Sequence, residues 1–301
     1  AWKFGTAGLG VELADQAEIA EAMGFDSFWL PENHFTGPAA IPSPLMLLAA
    51  IASRTSRIRL GSTSYLLPIR NPILAAEEVA VLDRLSGGRV ILGIGRGFQD
   101  AMFKIFNIPT KQKRAIFREN LNTMISAWRG EPIERHDGQE LFLSPLPVQQ
   151  PYPPLWVAAF GPLAIKQAGQ LGLPYIASPV ESLTSLQTNI EQHRQHAAEA
   201  GHVEISTTPI MRTVFVTDDS KLERRVKESL KTESAARIRD NQTSVEDWAI
   251  VGSQQYVDDK IAEYIERLDM NYLIARGRIQ GIKDDQQIRS HETLLNLSTI
   301  S

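Results

Sequence analysis

A guanidinium between two glycines and a histidine after a short apolar strand are the groups in this 301-residue chain best placed to do chemistry. The guanidinium closes the stretch Asn71 to Gly97, NPILAAEEVAVLDRLSGGRVILGIGRG. Its end, Gly93-Ile94-Gly95-Arg96-Gly97, falls short of a dinucleotide fingerprint. Counted from Gly95, Asp100 stands where GxGxxG needs its third glycine. What remains is a tight strand exit carrying an arginine, a residue that grips phosphate oxygens bidentately where lysine cannot. The histidine is His34, in Pro31-Glu32-Asn33-His34-Phe35. Of the six histidines it is the one at a predicted carboxyl strand end, where an imidazole can pass a proton near neutral pH. His136 falls in an insertion, and His202 and His291 lie in polar contexts. His193 and His196 sit three apart on a polar helix and read as a solvated face rather than a metal site.

Other strand ends supply surfaces. Gly61-Ser62-Thr63-Ser64-Tyr65 is small enough for a flat ligand to approach the backbone. Val157 to Pro162 is a strand turning into a helix with proline at its first position, so the amide of Gly161 is free for an anion. Phe35, Tyr65, Phe98, Phe103 and Phe160 come from strand-end regions and offer an apolar substrate wall. Arg276 and Arg278 follow the last strand and meet either an anionic substrate or water.

The elements that hold these groups alternate. Predicted strands are Trp2–Leu9, Asp26–Leu30, Ile58–Leu67, Val90–Ile94, Leu155–Phe160, Tyr175–Ala177, Ile210–Thr217 and Tyr272–Ala275. Between them fall helices such as Val11–Met23, Pro44–Ala52, the helix opened by Pro72, Ala115–Trp128 and Leu183–Ala200. The unbroken apolar run Val90–Ile94 is the signature of a parallel strand buried on both faces. Eight βα units give an α/β fold, a (β/α)8 TIM barrel, where an open doubly wound sheet needs only five or six strands. Two insertions are expected, Glu131–Pro154 between units four and five (with one hairpin) and Ala235–Ser253 between units seven and eight. The whole chain, residues 1–301, reads as one domain.

A net charge of −4 with scattered lysines and arginines argues against nucleic acid or an anionic membrane as partner. Zero cysteines exclude disulfides, iron–sulfur clusters, thiol nucleophiles and cysteine-ligated zinc. No apolar run approaches the roughly 20 residues of a membrane span. The start AWKFGTAGLG reads as a strand rather than a signal peptide. The expectation is a soluble, cytoplasmic protein.

The wording Leu82-Asp83-Arg84-Leu85-Ser86-Gly87-Gly88-Arg89, followed by the GIGRG strand end, resembles the bacterial luciferase-like monooxygenase family from Ala1 to about Gly281. The resemblance implies that Arg96 and Arg114 hold a flavin phosphate, assisted by amides near Gly161, with Phe160, Gly161 and Ala164 where luciferases carry acidic and hydroxyl residues. It implies a non-proline cis peptide between Thr63 and Ser64 behind the flavin ring. Luciferases carry EHHF where this chain has Glu32-Asn33-His34-Phe35, so Asn33 replaces one of two histidines and His34 stands for the other. The implied activity is monooxygenation of a small, largely apolar molecule with O2 and reduced FMN, supplied by a separate NAD(P)H flavin reductase. Two alternatives are hydride transfer with the deazaflavin F420, favoured by Asn33, and flavin binding without catalysis. The resemblance also implies a homodimer, for which Ala75, Val79 and Leu82 offer an apolar outer stripe.

Overall fold

The computed structural model describes residues 10–37, 40–202, 205–234, 244–277 and 279–299. The predicted first strand, Trp2–Leu9, and Arg278 lie outside the described residues. Two compact units are distinguished, one within residues 4–158 and one within residues 159–301.

The first described elements of the unit of residues 4–158 are α1 (Gly10–Met23), β1 (Ser27–Leu30), α2 (Pro44–Ala52), β2 (Arg59–Ser62) and β3 (Tyr65–Leu66). It continues with α3 (Pro72–Ser86), β4 (Val90–Gly95), α4 (Asp100–Ile105) and α5 (Lys113–Trp128). A hairpin of β5 (Glu134–His136) and β6 (Gln139–Leu141) follows, and β7 (Leu155–Ala158) closes the unit. Its parallel sheet runs β1-β2-β4-β7. The predicted strand Ile58–Leu67 is broken in two: β2 pairs with the start of β4, Leu60 opposite Val90, and β3 with its end, Tyr65 opposite Ile94. The break is at Thr63–Ser64, whose peptide is cis.

Helix α3 shows why these residues fold locally as they do. Asn71 caps it by accepting from the amides of Ile73 and Leu74, Pro72 takes the first position, and Gly87 ends it in the left-handed region. Its face bearing Ala75, Val79 and Leu82 is buried. The stripe expected to face a second subunit therefore belongs to the core of its own unit. Leu74, Val81 and Leu85 are the exposed apolar residues of this helix. All six residues of β4 are buried, as a strand covered on both faces should be. The hairpin turns through Asp137 (φ 50°) and Gly138 (φ 81°), both left-handed, which suits a two-residue loop between twisted strands.

In the second unit the order is α6 (Pro162–Gln170), β8 (Tyr175–Ile176), α7 (Leu183–Glu199), β9 (Pro209–Val216), α8 (Ser220–Ser234), β10 (Ala249–Gly252), α9 (Gln254–Leu268), β11 (Tyr272–Arg276) and α10 (Asp284–Leu295). Strand β9 lies between β10 and β11 and is parallel to both. The expected insertion Ala235–Ser253 thus contains a strand: β10 continues the sheet along the carboxyl half of β9, Ala249 opposite Thr213 through Gly252 opposite Val216. Trp248, Phe215, Val226 and Leu230 pack beside it in one buried cluster.

Candidate active site

His34 leaves β1 through a loop closed by its neighbour. Asn33 Oδ1 accepts from Thr36 Oγ1 at 2.8 Å and from the Ile41 amide at 3.0 Å, and Asn33 and Ile41 form an isolated antiparallel bridge. The side chain of Asn33 is thus engaged in holding the loop. Phe35 within that loop has φ 58°, an uncommon conformation for a bulky residue that marks a locally over-determined backbone. His34 is buried, and its Nε2 lies 2.7 Å from Glu32 Oε1. Its ring meets Phe106 edge-on at 5.2 Å between centroids and Phe35 at 5.9 Å.

Glu32 is the centre of this cluster. Its side chain is 0% exposed, and besides His34 it accepts from Arg70 Nη2 at 2.9 Å and, through Oε2, from the Leu66 amide at 2.9 Å. Arg70 in turn donates to the Leu66 carbonyl and lies 3.7 Å above the Tyr65 ring. The Tyr65 hydroxyl donates to Glu78. Burial, with the neighbouring carboxylates, raises the Tyr65 phenol well above its ordinary value, so it stays protonated. Sequence reasoning gave Glu32 and Arg70 no role. The available signal was the spacing of two between Glu32 and His34, which points alternate residues of an extended chain to the same side.

At the exit of β4, Gly95 is required by packing. A Cβ there would lie 2.1 Å from Ser64 Oγ. Gly97 (φ 73°) then turns the chain, and a Cβ on it would meet Met102 and Phe103. Phe103 is buried with Leu66 and Met102, and Tyr65 is also buried, so neither ring forms an open wall. Phe98 is 83% exposed, and Phe35 is exposed as well. Arg96 is half-buried, and burial first, then the charge of Arg114, holds its guanidinium below its ordinary value. Arg114, exposed near the start of α5, is therefore within electrostatic reach of Arg96.

Phe160 and Gly161 lie in the second unit. Phe160 is exposed, and Gly161 (φ 83°) is the N-cap of α6, with Pro162 at the first position. The amides there point out of a helix start, as an anion site needs. His193 is a correction: the predicted solvated face is buried at this position, where Nε2 bonds the Leu173 carbonyl and burial lowers its proton affinity. Among the described residues no cluster of three or more potential ligands suits a metal ion. No described helix is long and apolar enough to cross a membrane.

The family model for luciferase-like monooxygenases matches residues 8–270. The chain belongs to this family. Among curated relatives, the alkanal monooxygenase alpha chain of Photorhabdus luminescens is 29% identical over 194 residues, 63% of this chain and 54% of that one. Matches to curated relatives span between 48% and 66% of those proteins' lengths. Among solved structures, the oxygenating constituent of 3,6-diketocamphane monooxygenase from Pseudomonas putida, in complex with FMN, superposes with a TM-score of 0.80. It is 21% identical, covering 96% of this chain and 92% of that one. The F420-dependent tetrahydromethanopterin reductase of Methanopyrus kandleri reaches a TM-score of 0.74 at 18% identity, covering 97% of each chain. At such identities the likeness establishes the fold: this luciferase-like chain has the α/β architecture of a (β/α)8 TIM barrel.

Proposed function

We propose that this chain is the oxygenase component of a two-component flavin monooxygenase, acting on a small, largely apolar substrate with O2 and reduced FMN. A separate NAD(P)H flavin reductase would supply the reduced flavin. The observation that carries this reading is Arg96, half-buried at the β4 exit, with Arg114 at the start of α5 near enough for its charge to bear on it. Two guanidiniums so placed suit a dianionic phosphate, which would relieve their repulsion. Membership of the luciferase-like family and the FMN bound to a structure of the same fold support it.

In this reading Arg96 and Arg114 hold the flavin phosphate. The Thr63–Ser64 peptide backs the ring system. Exposed Phe35 and Phe98 offer apolar surface to the substrate and help exclude water. His34 holds or hands on a proton at the reacting end. Reduced flavin, when bound, supplies the electrons for oxygen chemistry. The absence of cysteine suits a cytoplasmic location, and the outward apolar residues of α3 suit a homodimer. Asn33 favours a second reading, F420-dependent hydride transfer, because the position holds a loop-closing amide in place of a second histidine.

Oxygen uptake by the full chain, with reduced FMN and a panel of apolar ketones, aldehydes and aromatics, tests the proposal. Substrate-dependent uptake coupled to an oxygenated product is the expected result. Substrate reduction by F420H2 without oxygen consumption would replace it with the second reading.

A further inference from the structure

We propose that Glu32 is the positioning residue for His34, fixing the imidazole with Nε2–H donated inward so that Nδ1 is the nitrogen offered to a bound molecule. This rests on the reading of His34 as the proton-transfer group. The carboxylate is fully buried and held from three directions. Leu66 donates its backbone amide to Oε2, while Arg70 and His34 both meet Oε1. The first contact ties it to β3 and the second to the turn before α3, so it has little freedom to swing away from the ring. An ionised carboxylate only accepts hydrogen bonds, so the imidazole nitrogen facing it must carry a hydrogen. In the neutral ring the other nitrogen, Nδ1, is then the acceptor.

Phe106 and Phe35 flank the imidazole and restrict its rotation. Asn33 does not share this task, since its Oδ1 is engaged by Thr36 and Ile41. The charged and titratable groups around the pair are Arg70, which competes for the same oxygen, and Tyr65 with Glu78 behind it. The rival role for Glu32 is neutralising Arg70 alone.

Nitrogen-15 NMR of the full chain labelled in histidine decides between them, with His34→Asn identifying the resonance. The expected result for the unmodified protein, recorded at a pH where the ring carries a single proton, is that proton on Nε2. A ring protonated on Nδ1 overturns the proposal, and this measurement needs no further variant to fold. Arg70→Met should leave the tautomer unchanged, whereas a switch on removing Arg70 would assign the ring's orientation to the arginine. Glu32→Gln presents both a donor and an acceptor, so its tautomer preference should fall towards parity.

In turnover with reduced flavin, Glu32→Gln should lower kcat by at least about tenfold with flavin affinity and substrate KM nearly unchanged. Added to His34→Ala it should cost nothing more, and an additive loss would make Glu32 a structural residue instead. If His34→Ala keeps full turnover, the proton-transfer reading falls. The tautomer experiment still judges the Glu32–His34 pairing by itself.

Discussion

Arg96→Met is the perturbation that tests the phosphate site most directly, because it removes the guanidinium while keeping much of the apolar stem. Arg96 is half-buried, and both burial and the positive charge of Arg114 disfavour its own charge. A phosphate dianion placed against the two would reverse this penalty. Hydrogen bonds to charged groups contribute about 1.5–3 kcal/mol, so loss of Arg96 should weaken FMN binding by about tenfold to 150-fold. Riboflavin has the same ring system without the phosphate, and its affinity should change by less than about twofold. Inorganic phosphate gives a second assay that needs no flavin. At ten times its Kd a ligand adds about 1.4 kcal/mol to stability, a rise in Tm of roughly 2–4 °C for a chain of this size. The wild type should show that rise and Arg96→Met should lose most of it. Equal losses of FMN and riboflavin affinity, or equal phosphate stabilisation of both proteins, would refute the reasoning and move the phosphate elsewhere.

Gly95→Ala should destabilise the chain by about 1–3 kcal/mol, because the new methyl overlaps the Ser64 side chain in a fully packed region; thermal melting reads it. Glu21 gives a pH signature. Burial opposes ionisation of its carboxyl, but bonds from the amides of Ile58, Arg57 and Ser56 win and hold its pKa at about 2. A carboxyl depressed in the folded state stabilises above its unfolded pKa and loses that contribution as pH falls from about 4.5 towards 2. Glu21→Gln should therefore cost about 1 kcal/mol near neutrality, solvent screening included, and almost nothing at pH 2; a constant difference across that range would contradict the assignment. Leu85→Glu on the outward face of α3 should convert a dimer to a monomer in sedimentation at micromolar concentration, and a wild type already monomeric there would remove the pairing proposal.

Local rules made much of the fold legible. Pro72, the capping Asn71 and the terminal Gly87 mark both ends of α3, and the apolar run of β4 reads as a buried parallel strand. Non-local pairing was harder. Strand β10 has only four residues, Ala249 to Gly252, and follows polar sequence, so nothing short-range distinguishes it from an insertion until β9 pairs with it. The break between β2 and β3 is likewise invisible to alternation, and only the family resemblance pointed to a cis bond at Thr63–Ser64. On α3 two apolar stripes exist, and periodicity alone does not choose the inner one. The small side chains of Ala75, Ala76 and Ala80 lie within the buried face, while bulky Leu74 and Leu85 remain outside. The polar neighbours of His193 along its helix suggest a solvated face, but its ring packs against Tyr175 and bonds a carbonyl twenty positions away.

The site shows the same division between what neighbours in sequence reveal and what packing decides. Arg96 and Arg114 stand apart in the chain, yet the charge of one bears on the other. The string Glu32-Asn33-His34 contains all the contact information for one pair and none for the other. Glu32 and His34, two apart, bond directly, while Asn33 between them turns to Thr36 and Ile41. Where the family resemblance implies a second histidine, Asn33 offers no titratable group and closes the loop instead. It leaves the remaining imidazole against a buried carboxylate that Arg70 and the Leu66 amide already hold. A site with one histidine so arranged has a single nitrogen with which to move a proton, and the identity of that nitrogen follows from the acid beside it.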